Sequence, residues 1–421
     1  MSGASISADF MSLYFNPYLT LAKVALLQEK TLSNIREMTA IFCSVMGSKL
    51  TDPVCKCSEY FARIRIAFIN GTILKIIPLA IGFLFFGSLA LFLTPLGAIM
   101  RGLGYKIRKN PFFLLYGTEP QIREGRGPLK VVSINVCGVG GQYCFTDGGV
   151  PSWPNRIEGQ IKKILEQTGD AISILECFDI EEALYYYNKM KDRYHCFAFL
   201  PGGGSVSEIT GAMFFASKYK TKVTFTPFSK DILSDRTQHQ TKGIFRFQLY
   251  DGEEPIATIY ALHLQHSERP AYPTVEHDNI RGEKECRREE MRLVRQQIEE
   301  EIQEQRGNYP ILVIGDLNCD DLELREIIEE VFATSEYTLN EGRIINPEVR
   351  TYAGDEPCVV QRGGIGSPPL NLDHSLVVTR KDSLPPKLET TRVEFFTPYV
   401  SGVMLPENTL SDHNLLFSTI G

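Results

Sequence analysis

A chain of 421 residues with a formal charge of −7 can bury a substantial core and hold more than one domain. The charge is unevenly spread: residues 1–125 carry 13 Lys/Arg against 7 Asp/Glu, and the remainder 31 against 44, so the larger part repels a polyanionic backbone, which weighs against nucleic acid. Ten cysteines without a CxxC pair exclude a disulfide mini-scaffold and a zinc ribbon, and fit reduced thiols in a reducing compartment.

Taken in chain order, Leu21, Val24, Leu27, Ile35, Met38, Phe42 and Val45 recur at near-helical spacing. They predict an amphipathic helix suited either to a membrane surface or to ordinary packing. Cys55 and Cys57 follow as acylation candidates. Residues 76–100, IIPLAIGFLFFGSLALFLTPLGAIM, then run for 25 positions without a charge. As helix they reach ~37 Å, enough for a hydrocarbon core of ~30 Å. Pro78 and Pro95 leave about 24 Å of uninterrupted helix between them, so the segment either spans or is half-embedded. Arg101, Lys106, Arg108 and Lys109 come next and suit the cytoplasmic side or an anionic lipid surface. Residues 1–122 thus read as a helical, membrane-associated region. REGRGP at 123–128 reads as a linker, and 129–421 as the catalytic domain.

Beyond the linker, VVSINV, AISILE, GAMFFAS, GIFRFQLY, ATIYALHL, PILVIGDLN and LDHSLVV predict strands. SWPNRIEGQIKKILEQTG predicts a helix with Ser152 as a candidate cap. EKECRREEMRLVRQQIEEEIQEQ predicts a charged helix whose charges read as a solvated face. Strands in this number, with helices between some of them, predict an α/β fold of two packed sheets with helices outside. Polar residues stand at the strand ends: Asn135, Glu176, His263, Asp316 and Asn318, Asp373, then Asp412 and His413 near the C-terminus. Asp316 and Asn318, two apart on extended chain, share one face. Loops held at the ends of a rigid sheet are where catalytic residues concentrate.

The order Asn, Glu, His, GDxN, DH and a terminal SDH resembles the endonuclease/exonuclease/phosphatase superfamily over about residues 128–420. Within it the chain is most similar to the membrane-anchored neutral sphingomyelinases. ILECFDIEEALYYYNKMKDRYHCFAF, GAMFFASKY, VIGDLNCDD, and RVEFFTPYVSGV followed by LSDH carry that likeness, as does a hydrophobic segment ahead of the catalytic region. The resemblance implies a four-layer sandwich of two mixed β-sheets flanked by helices. It also implies Mg²⁺-dependent hydrolysis of sphingomyelin to ceramide and phosphocholine, with Mn²⁺ as an alternative ion. TKGIFRF, with Lys242, resembles the segment that carries an aspartate–lysine switch, and Asp235 is the candidate aspartate, seven residues earlier.

The chemistry of a phosphodiester assigns roles consistent with this family. Mg²⁺ takes oxygen ligands and needs only one or two protein carboxylates: Glu176, with Asn135 assisting and Asp412 at the rim. His413 is the expected general base, oriented by Asp373. Asp316 positions the attacking water, and Asn318 and His263 hydrogen-bond the phosphoryl oxygens. Anionic phospholipid is the expected activator and nucleic acid is not an expected partner. The catalytic domain is expected to face a reducing, cytosolic compartment from a membrane. Another phospholipid or an inositol phosphate as substrate, a nuclease, and an inactive membrane scaffold stand as the other readings.

Overall fold

The computed structural model describes residues 32–69, 73–108, 111–122, 127–138, 153–201, 212–233, 241–266, 278–304, 309–352, 370–395 and 410–421. Two helices come first, α1 (Leu32–Ile69) and α2 (Ile76–Ile107), then β1 (Phe113–Tyr116) and β2 (Leu129–Asn135). The chain continues through α3 (Ile157–Glu166), β3 (Ala171–Leu175), α4 (Ile180–Met190), β4 (Cys196–Leu200), β5 (Met213–Ser217) and β6 (Lys220–Pro227). After β7 (Gly243–Asp251) and β8 (Glu254–His263) come α5 (Asp278–Glu304), β9 (Ile311–Asp316) and α6 (Asp321–Val331). The described chain closes with β10 (Tyr337–Glu341), β11 (Arg343–Ile344), β12 (Asp373–Arg380), β13 (Leu388–Val393) and β14 (Leu415–Ile420).

An eight-stranded sheet runs β1-β4-β5-β3-β2-β14-β13-β11, and a six-stranded sheet β10-β12-β9-β8-β7-β6. Both are mixed: β2 pairs parallel with β3 and β8 with β9, while their outer neighbours pair antiparallel. Alternation along the central strands explains the unbroken apolar runs. Leu312 and Ile314 face the core between the sheets, while Ile311 and Val313 face the core under α5 and α6. Val131 and Val132 divide in the same way between the inter-sheet core and the core under α3 and α4. A strand buried on both faces has no polar side to show. The result is helix, sheet, sheet, helix.

All seven expected strands are present. The other seven were not expected from sequence, and most are short or sit outside the sheet centres. β6 shows why: KTKVTFTP is an edge strand with an exposed, lysine- and threonine-bearing surface, as edge strands need. Phe113–Tyr116, ahead of the linker, pairs with β4 and forms the edge of the larger sheet. Ser152 lies outside the described residues, and α3 begins at Ile157. One correction concerns α5. Its charges are not only a solvated face, because Glu283, Arg287, Glu290 and Glu301 are buried. They fall on the same helical side as Met291, Val294 and Ile298, which pack into the core.

α1 and α2 form an antiparallel hairpin held by small residues. A Cβ at Gly97 would stand 2.8 Å from Thr51 Cγ2 and 2.9 Å from the Gly47 carbonyl oxygen, and one at Gly104 would meet Ser44 and Ala40. Such absences of side chain let two backbones approach closely. Pro95 does not end α2, which runs on to Ile107. It stands on the exposed face of the helix, where its ring disturbs no packing. Ala40 and Ile41 enter the core under the larger sheet beside Phe113 and Leu115. Ser48 Oγ donates to Asp179, the N-cap of α4, at 2.7 Å, and Lys49 pairs with Glu181 at 2.7 Å. The base of the hairpin is therefore part of the α/β body. Cys57 lies inside the hairpin, its Sγ 3.8 Å from the Phe83 carbonyl oxygen.

Candidate active site

The strand ends converge because of register. In the smaller sheet His263 stands opposite Asp316 across the parallel β8–β9 pair, and Asp373 opposite Asp316 across β12–β9. In the larger sheet the ends of β2 and β3 pair as Asn135 with Leu175, one residue before Glu176. Three chain exits turn through the left-handed region at non-glycine residues: Cys137 (φ 47), Glu176 (φ 57) and Asn318 (φ 53). Such conformations cost on the order of 1–3 kcal/mol each and persist where surrounding structure dictates them. Gly315, at φ +132, has no alternative. A Cβ there would lie 2.0 Å from the Leu262 carbonyl oxygen.

Nine of the ten candidate residues meet at this edge or directly behind it; the tenth, Asp235, lies outside the described residues. Asn135 Nδ2 donates to Asp316 Oδ2 at 3.0 Å, and its Oδ1 accepts the Cys137 amide at 3.0 Å. The other Asp316 oxygen accepts the Asn318 amide at 2.9 Å. His413 Nδ1 lies 2.7 Å from Asp373 Oδ2, and its Nε2 is 3.9 Å from Asp316 Oδ2. His263 Nε2 stands 3.7 Å from both Glu176 Oε1 and Asp316 Oδ2. Asn318 Nδ2 donates to the Leu264 carbonyl at 3.1 Å, which leaves its second N–H for another acceptor. Lys242 is set back from the edge, fully buried against the carbonyls of His263 and Leu264.

Charge is tightly packed here. Burial pushes the Glu176 carboxyl up to about 7, and the Asp412 carboxylate adds to the push. Burial lifts Asp316 to about 6 against the pull of His413. For His413, burial alone would lower the imidazole, but the Asp373 carboxylate outweighs it and holds the value well above the ordinary one. Burial and the Lys242 ammonium hold His263 well below its ordinary value.

Glu176, His263 and Asp316 each offer a ligand atom within 4.8 Å of the others. The donor set is mainly carboxylate and amide oxygen, which hard divalent cations take. Burial and the neighbouring carboxylates both disfavour these charges, an effect that a bound cation would offset. The residues fit a divalent ion at Glu176, with Asn135 and Asp412 beside it.

Sequence reasoning missed the residues that hold this constellation in place. Thr351 Oγ1 accepts the amides of Leu372 and Asp373 at 2.8 and 3.0 Å. The Tyr352 ring lies 5.0 Å from that of His413. Arg156, buried, donates to the carbonyls of Val136 and Cys137 at 2.8 and 2.6 Å and also to that of Leu410. None carries a local pattern, since their partners are groups brought near only by the fold. Arg287 and Glu290 did carry one: charged residues standing in the apolar stripe of α5.

No family model and no curated protein matches this sequence. Among solved structures it is similar to SmcL, with TM-score 0.50 and 14% identity over 70% of this chain and 100% of that one. Sphingomyelinase C from Streptomyces griseocarneus follows, with TM-score 0.46 and 15% identity over 70% of this chain and 99% of that one. TDP2 from C. elegans gives TM-score 0.46 and 13% identity over 70% of this chain and 75% of that one. The two mixed sheets with their flanking helices are a fold that this chain shares with SmcL.

Proposed function

We propose that the protein is a divalent-cation-dependent phosphodiesterase that hydrolyses sphingomyelin to ceramide and phosphocholine. One observation carries the reaction class: the Asp373–His413 pair at 2.7 Å, facing the buried Asp316 with the partly exposed carboxylate Glu176 nearby. Mg²⁺, or Mn²⁺, held by Glu176 with Asn135 and Asp412 beside it, would neutralise the phosphoryl oxygens and the charge that develops on them. His413 Nε2 takes the proton of the attacking water, while Asp373 fixes its tautomer and stabilises the imidazolium formed. Asp316 orients that water by accepting its second hydrogen. The His263 ring and the free N–H of Asn318 donate to the phosphoryl oxygens. The choice of sphingomyelin rests on the sequence likeness to neutral sphingomyelinases and on an apolar helix suited to a bilayer.

Membrane attachment is part of this reading. The exposed face of α2 presents Ile77, Ile81, Leu84, Phe85, Leu91, Phe92, Leu96, Ile99 and Leu103 as one uncharged stripe. Register places α1 along the opposite face: Tyr60 stacks on Phe86 at 5.5 Å and Phe61 lies 5.9 Å from Phe83. Lys56, exposed on this stretch of α1, therefore runs beside the apolar half of α2. A spanning hairpin would carry this charge into the hydrocarbon at roughly 2.5–3.5 kcal/mol near the centre. Lying in the interface with the stripe down avoids that cost. Anionic phospholipid is the proposed activator, attracted by Lys106 and Arg108 just past the stripe; Lys109 lies outside the described residues. Arg101 donates to Thr51 Oγ1 at 2.7 Å and is engaged within the hairpin.

Purified full-length protein on vesicles of varied headgroup, with and without Mg²⁺, tests the substrate. Phosphocholine release from sphingomyelin vesicles, abolished by chelation, is expected. Turnover confined to phosphoinositides or DNA would overturn the lipid assignment. His413→Ala and Asp373→Asn are each expected to lower kcat by several orders of magnitude, with the double variant little worse than His413→Ala alone, as for groups acting as a unit. Losses that multiply would separate the pair. For the membrane geometry, a protease site inserted at residues 70–72 is expected to be cut by externally added protease on vesicle-bound protein. Complete protection of that turn would mean that the hairpin crosses the bilayer.

A further inference from the structure

The short segment His263–Gln265 at the end of β8 is held by charged side chains from behind. Lys242 Nζ donates to the Leu264 carbonyl and lies 3.4 Å from that of His263. Glu290 Oε2 accepts the Gln265 amide at 2.8 Å, and Arg287 Nη1 donates to the Gln265 carbonyl at 2.8 Å. Arg287 is fixed in turn by Glu323, 2.7 Å from both its Nε and its Nη2. Exposure is 1% for Lys242, 1% for Arg287 and 0% for Glu290. Burying ions costs several kcal/mol each before pairing, and neutral side chains or water can satisfy a turn without that cost. What the charges add is stiffness at one point of the sheet edge.

That point controls two groups. His263 is the first residue of the segment and stands 3.7 Å from both Glu176 and Asp316. Asn318 donates to the Leu264 carbonyl, the same oxygen that Lys242 binds, and the Leu264 amide donates to the Asp316 carbonyl at 3.1 Å. Any shift of Leu264 moves His263 and Asn318 together. We propose that Glu290 and Arg287, acting with Lys242, form a clamp that positions His263 and Asn318 against the phosphoryl group of the substrate. They are positioning residues and touch no substrate. The ion balance supports the geometry: burial pulls Lys242 down to about 8, and the Glu290 carboxylate is the strongest charge opposing that fall. The proposal rests on the phosphodiesterase reading for its kinetic arm but not for its spectroscopic one.

The test uses the full-length protein. Glu290→Ala is expected to lower kcat about 100-fold with KM within twofold, because a displacement of about 1 Å at the reacting centre costs about that much. Glu290→Gln keeps an oxygen to accept the Gln265 amide and is expected to recover activity to within about fivefold of the parent. Glu301→Gln is the control. It alters a buried carboxylate on the same helix that binds Gln248, Thr258 and Tyr309, away from the segment, and is expected to lower thermal stability while kcat stays at the parent value. Spectra of ¹⁵N-histidine-labelled, Mg²⁺-free protein are expected to show the His263 ring signals displaced in Glu290→Ala and unmoved in Glu301→Gln. Parent-like kcat in folded Glu290→Ala, unmoved His263 signals, or equal kcat losses in Glu301→Gln and Glu290→Ala would each overturn the clamp. If Glu290→Ala does not fold, Arg287→Lys decides. It lacks the fork that reaches Gln265 and Glu323 together, so a kcat about tenfold lower supports the clamp and a parent-like kcat overturns it. Should the parent hydrolyse no phosphodiester, the ring signals still decide the positioning, and only the function reading falls.

Discussion

Carboxylates crowded beyond what the protein itself can neutralise are the constraint around which this molecule is built. Glu176, Asp316, Asp373 and Asp412 come from four different strand ends, and the first two are raised by burial. Two sheets pressed face to face are what bring such ends to one edge. The basic groups described nearby are tied elsewhere: His413 to Asp373, Lys242 to the carbonyls of His263 and Leu264, and Arg156 to the carbonyls beyond β2. A cluster with this excess of negative charge, lined by oxygen donors, has the chemistry that could hold a divalent ion.

Holding that arrangement costs conformational energy, and the structure shows where it is stored. Left-handed turns at Cys137, Glu176 and Asn318 redirect the chain within one or two residues of a functional side chain. Each is locked by hydrogen bonds. The Gly138 amide donates to the Glu176 carbonyl at 2.9 Å, and the Cys137 amide donates to the Asn135 side chain. Buried ions from α5 and the start of α3 complete the support from behind. The polar edge is thus rigid by construction, as positioning chemistry would require.

How much of this could be read from sequence follows from the range of each interaction. The central strands were legible because burial on both faces leaves an unbroken apolar run, as in Ile311–Ile314. The site residues were legible because they stand immediately after such runs, and Asp316 with Asn318 also share a face. Edge strands were not, since β6 and β11 carry no such signal. Nor was β1, which joins the sheet across the linker through pairing with β4, a contact of long sequence separation. Thr351 and Arg156 act on backbone groups far away in the chain, so no local pattern marks them. α5 was half legible. Its exposed charges do form a solvated network, with Arg292 bridging Glu285, Glu289 and Glu330. The buried ones, Arg287 and Glu290, looked the same until their place in the apolar stripe was seen.

The hairpin and the polar sheet edge share one body, since α1 reaches the N-cap of α4 three residues beyond Glu176. The most direct test of the central claim therefore needs no substrate and no membrane assay. Thermal unfolding of the full-length protein in detergent can be followed as Mg²⁺ is raised, for the parent and for Glu176→Gln. A ligand that binds only the folded state stabilises it by about 2.7 kcal/mol at a hundred times its Kd, so the parent Tm should climb with Mg²⁺ and the variant should stay flat. An equal response in both proteins, or none in the parent, would contradict the account of a cation held at Glu176.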